Sequence, residues 1–309
     1  MNEAPYSAIG ALRDWLHSLP WMLCDPESPF WWPTLVVMLL GILLFLAVSH
    51  SSWRRLRADA APGGWRPYLR ELPWDVGLML ANSSLFFLGA PLLTGAMLAG
   101  SLLGSLLPVP IFGVPGDQPV GQDAWSALFC AFLAFLFMDF VRYWTHVLFH
   151  RVPMLWALHR KHHEPAVLTP ITAFRFWPQE QFVHLLGGYF GIGFGIGLAA
   201  TILGGTVTLF TLFGVNAFTL AWNVVFSHLR HSPVALSYPR WLSYVLSSPL
   251  MHQAHHSVDP TQHDRNYATV FSFWDWIFGT LYLTRPDERF RFGVEDGVSA
   301  PPSAPGPRG

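Results

Sequence analysis

Fourteen of the 309 residues are histidines, and ten of these fall in four short clusters with metal-ligand spacing. His146 and His150 stand four apart in DFVRYWTHVLFHRVPMLWALHRKHH (residues 139–163), and His159, His162 and His163 follow at i, i+3 and i+4. His228 and His231 are three apart in FSHLRHS, and His252, His255 and His256 repeat the i, i+3, i+4 pattern in MHQAHH. Residues three and four apart share a helix face, so each cluster aims its imidazoles at one place. A solitary histidine is usually a satisfied surface or core residue. Four clusters flanking apolar sequence are different, because burying ten uncompensated imidazoles is costly. Coordination removes that cost, since neutral imidazole is a good ligand for divalent first-row metals.

Ten ligands exceed what one metal takes: zinc uses four, and iron of the facial-triad type uses two histidines and a carboxylate. Two neighbouring metals with four or five nitrogens each account for the set. Hydrolytic metal pairs usually need bridging carboxylates, and Glu164 and Asp259 lie outside the clusters. An imidazole pair site therefore points to redox iron and oxygen chemistry.

The order HxxxH, HxxHH, a middle pair, then HxxHH resembles the membrane-bound fatty acid hydroxylase and sterol desaturase superfamily, the histidine-box diiron enzymes. Flanking residues agree: Asp139 and Tyr143-Trp144, Ser248-Pro249, and Asn266-Tyr267 followed by WDWIFGTLY at Trp274–Tyr282. The resemblance covers about Trp125–Leu283. It implies an iron- and O2-dependent enzyme that hydroxylates or desaturates an aliphatic C–H bond of a lipid, a fatty acyl chain or a sterol. Two iron ions held by His146, His150, His159, His162, His163, His228, His231, His252, His255 and His256 are the implied cofactor, and O2 the cosubstrate. The middle pair is spaced x2, where several relatives have x3 or a lone histidine. Trp177 stands in FRFWPQE, where many bacterial relatives have histidine.

Free ring N–H groups of the ligands need acceptors. Asp139, two helical turns before His146, is expected to bond a ligand from another helix or to pair with Arg142; Asn266 and Asp264 are candidates of the same kind. Asp139 and Asn266 are the catalytic-site residues so expected. Without a Gly-rich dinucleotide motif or haem-type signature, electrons must come from a separate donor: a reductase, a ferredoxin or a cytochrome b5-like protein. The competing classes are a histidine-ligated divalent-metal transporter and a non-redox metal-binding membrane protein. Transporters place ligands near the bilayer midplane on broken helices, often in repeats, and no internal repeat is visible.

The surrounding elements read as membrane. Composition is 52% hydrophobic, 16% aromatic and 12% charged, mean hydropathy is +0.34, and fifteen Trp suit two interfaces. A net charge of −1 gives no reason to expect nucleic acid. Cys24 and Cys130 form no CxxC, so neither a disulfide framework nor a thiolate site is indicated. No signal peptide is read in Met1–Pro33. Trp15–Leu23 is expected in the interface, and Thr34–Val48 as a first span. A connection then follows over Ala58–Trp74, a single crossing over Asp75–Leu107, a loop over Pro108–Asp123 and a span from Ala124 into the first histidine pair. Phe182–Leu203 and Thr206–Phe226 form a hairpin returning at Gly204-Gly205, which makes five crossings. The glycines at 187, 188, 191, 193, 195 and 197 read as a small-residue packing face. Arg142, Arg151, Arg160 and Lys161 put the histidines on the cytoplasmic side. The expected fold is all-α, an integral membrane helical bundle with a cytoplasmic histidine-rich helical cap holding two metals. Its divisions are an N-terminal membrane region (1–123), a catalytic domain (124–299) and a disordered tail (300–309). His184 is expected to be a core histidine or to face a substrate tunnel. An apolar channel opening to lipid is expected between the span ending at His146 and the Phe182–Phe226 hairpin, with Gly191 on its wall.

Overall fold

The computed structural model describes residue 36, residues 66–108 and residues 123–294, apart from 206, 208, 210, 213, 214, 224–227 and 233. The expected elements at Trp15–Leu23 and, save Val36, Thr34–Val48 lie outside the described residues, as do the interior of the Pro108–Asp123 loop and the tail.

Helix α1 (Arg66–Ser105) runs for 40 residues through Pro73 and Pro91, about 60 Å at 1.5 Å per residue. The stretch expected as a single crossing, Asp75–Leu107, is thus one continuous helix as far as Ser105. The helix also takes in residues 66–74, which the sequence reading assigned to a connection. Helix α2 (Ala124–Arg151) starts where Asp123 accepts from Trp125 N and Ser126 N, both at 3.0 Å. It stops because Pro153 forces Val152 into an extended conformation, and α3 (Pro153–His163) restarts with proline in its first turn. Helix α4 (Pro178–Leu203) ends on Gly204, whose φ of 78° is the left-handed cap that glycine adopts freely.

Glycines set how α4 packs. A Cβ on Gly193 would stand 1.8 Å from Met97 O and one on Gly197 2.0 Å from Ser101 O, so α4 lies parallel to and nearly touching α1. On its other side, a Cβ on Gly191 would meet Phe137 O at 2.5 Å and one on Gly195 would meet Leu133 O at 2.4 Å, so α2 runs antiparallel to it. The single packing face expected from these glycines is two faces, and Gly191 packs against backbone instead of lining a channel. Leu88–Ser105 of α1, α2 and α4 are each long and apolar enough to cross a membrane. Leu88, Leu92, Leu98 and Leu102 project uncovered from α1, as lipid-facing residues would.

Beyond Gly204 the expected continuous span over Thr206–Phe226 is not one helix. Its described part is an antiparallel pair, β1 (Thr211–Leu212) with β2 (Val215–Asn216), and a six-residue helix α5 (Ala217–Trp222). Two glycines at the turn and β-branched residues after it disfavour helix. The chain still returns along α2. Val207 and Leu209 pack with Cys130 and Leu133, Asn216 Nδ2 donates to Ala131 O at 2.8 Å, and Trp222 packs with Phe135 and Met138. It then reaches α6 (His228–Arg230), α7 (Arg240–Ser243), α8 (Pro249–His255) and α9 (Phe273–Ile277), short helices near the C-terminal end of α2.

Candidate metal centre

The break at Pro153 brings the last two turns of α2 against the last turn of α3. Ser248 caps α8, its Oγ accepting from Met251 N at 3.2 Å, with Pro249 in the first turn. Nine of the expected ligands are buried here: His146, His150, His159, His162, His163, His231, His252, His255 and His256. The side chain of the tenth, His228, lies outside the described residues.

The nine divide into two groups. His146, His150, His159, His163 and His255 form one; His162, His231, His252 and His256 form the other. Within each, one ring nitrogen per residue lies within 4.8 Å of all the others. The i, i+3, i+4 spacing works by division: α3 sends its i, i+4 pair to the first group and the middle residue to the second, and α8 does the reverse. The groups adjoin, with the rings of His163 and His256 stacked at 4.3 Å.

Hydrogen bonds assign the nitrogens. His146 Nδ1 faces Tyr267 O at 2.7 Å and His255 Nδ1 faces Arg265 O at 2.8 Å, so each donates there and leaves Nε2 as a lone pair. His159 Nδ1 bonds the buried carboxylate of Glu180. Thr172 Oγ1 gives its proton to Thr169 O at 2.8 Å and so accepts from His231 Nδ1 at 3.3 Å. The Nε2 atoms then face one another: His146 to His159 and His163 to His159 at 3.2 Å, His252 to His231 at 2.9 Å, and His256 to His252 at 3.2 Å. With both Nδ1 atoms committed, His146 Nε2 and His159 Nε2 are two facing lone pairs, which repel unless a cation lies between them. Two nitrogens about 2.1 Å from one ion at right angles stand about 3.0 Å apart. The Nε2 atoms of His150 and His255 are buried without a hydrogen-bond partner. The residues fit two metal ions.

Burial pushes His159 down to about 3. It takes His162, His163, His231, His252, His255 and His256 well below the ordinary histidine range, with neighbouring imidazoles or Arg230 adding to it. At neutral pH these rings are uncharged, the form that ligates.

Neither Asp139 nor Asn266 bonds a ligand ring among the described residues, whereas Asp139 does stand as the opposite charge to Arg142, the other arm of its expectation. Asp139 accepts from Val270 N at 3.0 Å, Phe271 N at 2.9 Å and Trp274 Nε1 at 3.2 Å, because the 270–274 segment folds over its helix face and offers unpaired donors. Asn266, at φ 54°, donates from Nδ2 to Met251 O and Tyr282 O and accepts from Tyr282 N at 2.8 Å. Among the described hydrogen bonds neither touches a histidine ring; both pin the segment that carries Arg265 O and Tyr267 O. Asp264 bonds Tyr267 Oη at 2.7 Å and faces Arg151 at 3.7 Å. Sequence reasoning missed Glu180, which lies between His159 and His184 and forms a third group with them. An acidic residue in a helix's first turn reads as a response to the helix dipole, and nothing local ties it to His159. His184 stands 3.7 Å from Glu180 and borders a cavity of about 220 Å³. That cavity reaches His146, His159, His162, His231 and His252, between Arg142–His146 of α2 and Gln181–Leu185 of α4. Its wall is mixed, Phe174, Phe176 and Leu185 beside Arg142 and Arg230, where an apolar wall was expected.

Residues 131–280 match the fatty acid hydroxylase family. The chain is similar to the alkylglycerol monooxygenases of Homo sapiens (29% identical over 171 residues, 55% of this chain and 33% of that protein) and Danio rerio (28% over 157, 51% and 31%). It is also similar to ornithine lipid hydroxylase OlsE of Rhizobium tropici (27% over 161 residues, 52% and 44%). The match spans about a third of the length of these alkylglycerol monooxygenases. No solved structure matches the chain significantly.

Proposed function

We propose, from the match of residues 131–280 to the fatty acid hydroxylase family, that this protein is a membrane-bound, iron- and O2-dependent oxygenase that hydroxylates an aliphatic C–H bond of a lipid. The observation that carries the reading is the pair of adjoining, buried imidazole groups whose Nε2 atoms converge. Two iron ions bound there supply O2 activation and hydrogen abstraction. The chain's own residues do the rest. Tyr267 O, Arg265 O, Glu180 and Thr172 hold His146, His255, His159 and His231 in the ligating tautomer. Burial excludes water from the rings, and the cavity beside both groups offers the substrate a place against them. His228 is proposed as the tenth ligand. The relatives' printed names, monooxygenase and hydroxylase, favour hydroxylation over desaturation and a lipid as substrate.

The reading includes a topology. The four expected spans from Thr34–Val48 to α4, with the return segment along α2, make five crossings, and the histidines face the cytoplasm beside Arg151, Arg160 and Lys161. Irregular backbone at membrane depth is tolerated where protein covers it. Residues 1–123 form the N-terminal membrane region and 124–299 the catalytic domain. Electrons arrive from a separate reductase, ferredoxin or cytochrome b5-like donor. The test is metal analysis of the purified chain together with mass spectrometry of lipid extracts made under ¹⁸O2 with and without the protein. The expected result is two irons per chain and a lipid that gains one labelled oxygen. Zinc alone with no O2-dependent product, or metal carried across vesicles, overturns it.

A further inference from the structure

Two cations on the cavity wall have no role in holding metal. Arg142 lies one turn before His146 on α2, and Arg230 immediately precedes His231; both line the cavity with those histidines. Other arginines nearby are matched: Arg175 bonds both Asp75 and Glu71, and Arg151 faces Asp264. The Nε of Arg230 is buried without a hydrogen-bond partner. Each guanidinium feels Asp139 as its opposite charge, and Arg230 feels Arg142 as a like charge. Yet Asp139 already accepts from Val270 N, Phe271 N and Trp274 Nε1. Two half-buried cations thus share one largely committed carboxylate on one cavity wall, an arrangement that favours a further anion. Guanidinium groups are matched to planar or tetrahedral oxyanions through paired, charge-assisted hydrogen bonds.

We propose that Arg142 and Arg230 bind the oxyanion head group, phosphate or carboxylate, of the lipid that is oxidised, and so fix the oxidised carbon close to that head group. The inference rests on the lipid-oxygenase reading and deepens it. Size supports the second half: a cavity of about 220 Å³ holds about seven groups the size of a water molecule. That is room for an oxyanion and the first few carbons, with the metal-facing nitrogens on the same wall. The rest of the chain must leave towards lipid.

Binding tests it. The full-length protein in neutral detergent is titrated with three radiolabelled sixteen-carbon lipids: palmitate, 1-O-hexadecylglycerol 3-phosphate and uncharged 1-O-hexadecylglycerol. The two anionic lipids should bind at least tenfold more tightly than the neutral one. Arg142→Gln and Arg230→Gln should each remove most of that preference, with metal content and affinity for the neutral lipid unchanged; Arg230→Lys should restore part of it. Equal affinity of the wild-type protein for all three lipids overturns the proposal, whatever the variants do. Displacement of the anionic lipids by equimolar inorganic phosphate also overturns it, since the site would then take the free anion. Arg-dependent binding without any oxygenated product would leave this inference standing and remove the oxygenase reading. Oxygenated product with head-group-blind binding does the opposite.

Discussion

A histidine whose Nδ1 is committed to a backbone carbonyl has one nitrogen left to offer, and that is how the site is built. His255 is the clearest case: Nδ1 bonds Arg265 O at 2.8 Å, and Nε2 lies buried without a partner. His255→Ala should abolish turnover and lower bound iron, while the protein remains folded, because the helix contacts of α1, α2 and α4 lie elsewhere. Iron per chain, turnover and size-exclusion profile check this; full activity would remove His255 from the site. Glu180 acts through His159, which it holds at Nδ1. Glu180→Gln keeps the shape and drops the charge, so iron affinity in a chelator titration should fall by about 10–100-fold. A spectroscopic shift of the bound iron separates this from a folding defect. The ligand clusters were legible in the sequence because helix periodicity puts i, i+3 and i+4 on one face. Their acceptors were not: Arg265 O and Tyr267 O are backbone atoms, and Glu180 reaches His159 only once α4 has packed. The same holds for Asp139, whose spacing from His146 suggested a ligand partner and whose carboxylate instead holds residues 270–274.

At the scale of elements, α4 is positioned by what it lacks. Gly193 and Gly197 form one i, i+4 pair and Gly191 and Gly195 another, offset by two residues and so on roughly opposite faces, one for each neighbouring helix. Any side chain at Gly193 would need to displace backbone at Met97, so Gly193→Leu should destabilise by at least the upper end of the ~1–3 kcal/mol typical of overpacking. Gly95 is the control. A Cβ there meets nothing within 4 Å, so Gly95→Ala in α1 should stabilise by about 0.5–1 kcal/mol through helix propensity. Thermal unfolding in detergent reads both; a neutral Gly193→Leu would show that the helices do not pack this closely. Long apolar runs made α2, α4 and the apolar half of α1 readable, and the two glycine pairs carried their own spacing signal. The helical extension to Arg66 was hidden because residues 62–67 carry Pro and Gly that read as loop. The return after Gly204 read as a span from hydropathy alone, which does not distinguish helix from extended backbone packed along α2.

For the whole molecule, the same burial that prepares the metal centre makes it sensitive to acid. Folding takes His159, His162, His163, His231, His252, His255 and His256 from water, where each titrates near 6.5, into an interior that holds His159 down to about 3 and the others well below the ordinary range. Above about pH 6.5 both states leave these rings neutral, and proton binding does not bias folding. Below that value the unfolded chain takes up protons that the folded chain refuses, so stability falls as pH falls, by up to about 1.4 kcal/mol per pH unit for each such ring. The loss continues until the folded-state values are reached, near 3 for His159. Bound metal shifts the balance the same way, because it too requires unprotonated nitrogen. Several rings share one compartment, so the acid limb should be steep. Between pH 6.5 and 5, iron retention and thermal stability should fall together, with an apparent proton number above one. The loss should reverse on early neutralisation with iron present. A flat profile from pH 7.5 to 5 would mean that the rings are reached by water and titrate normally, which the buried, converging geometry does not allow.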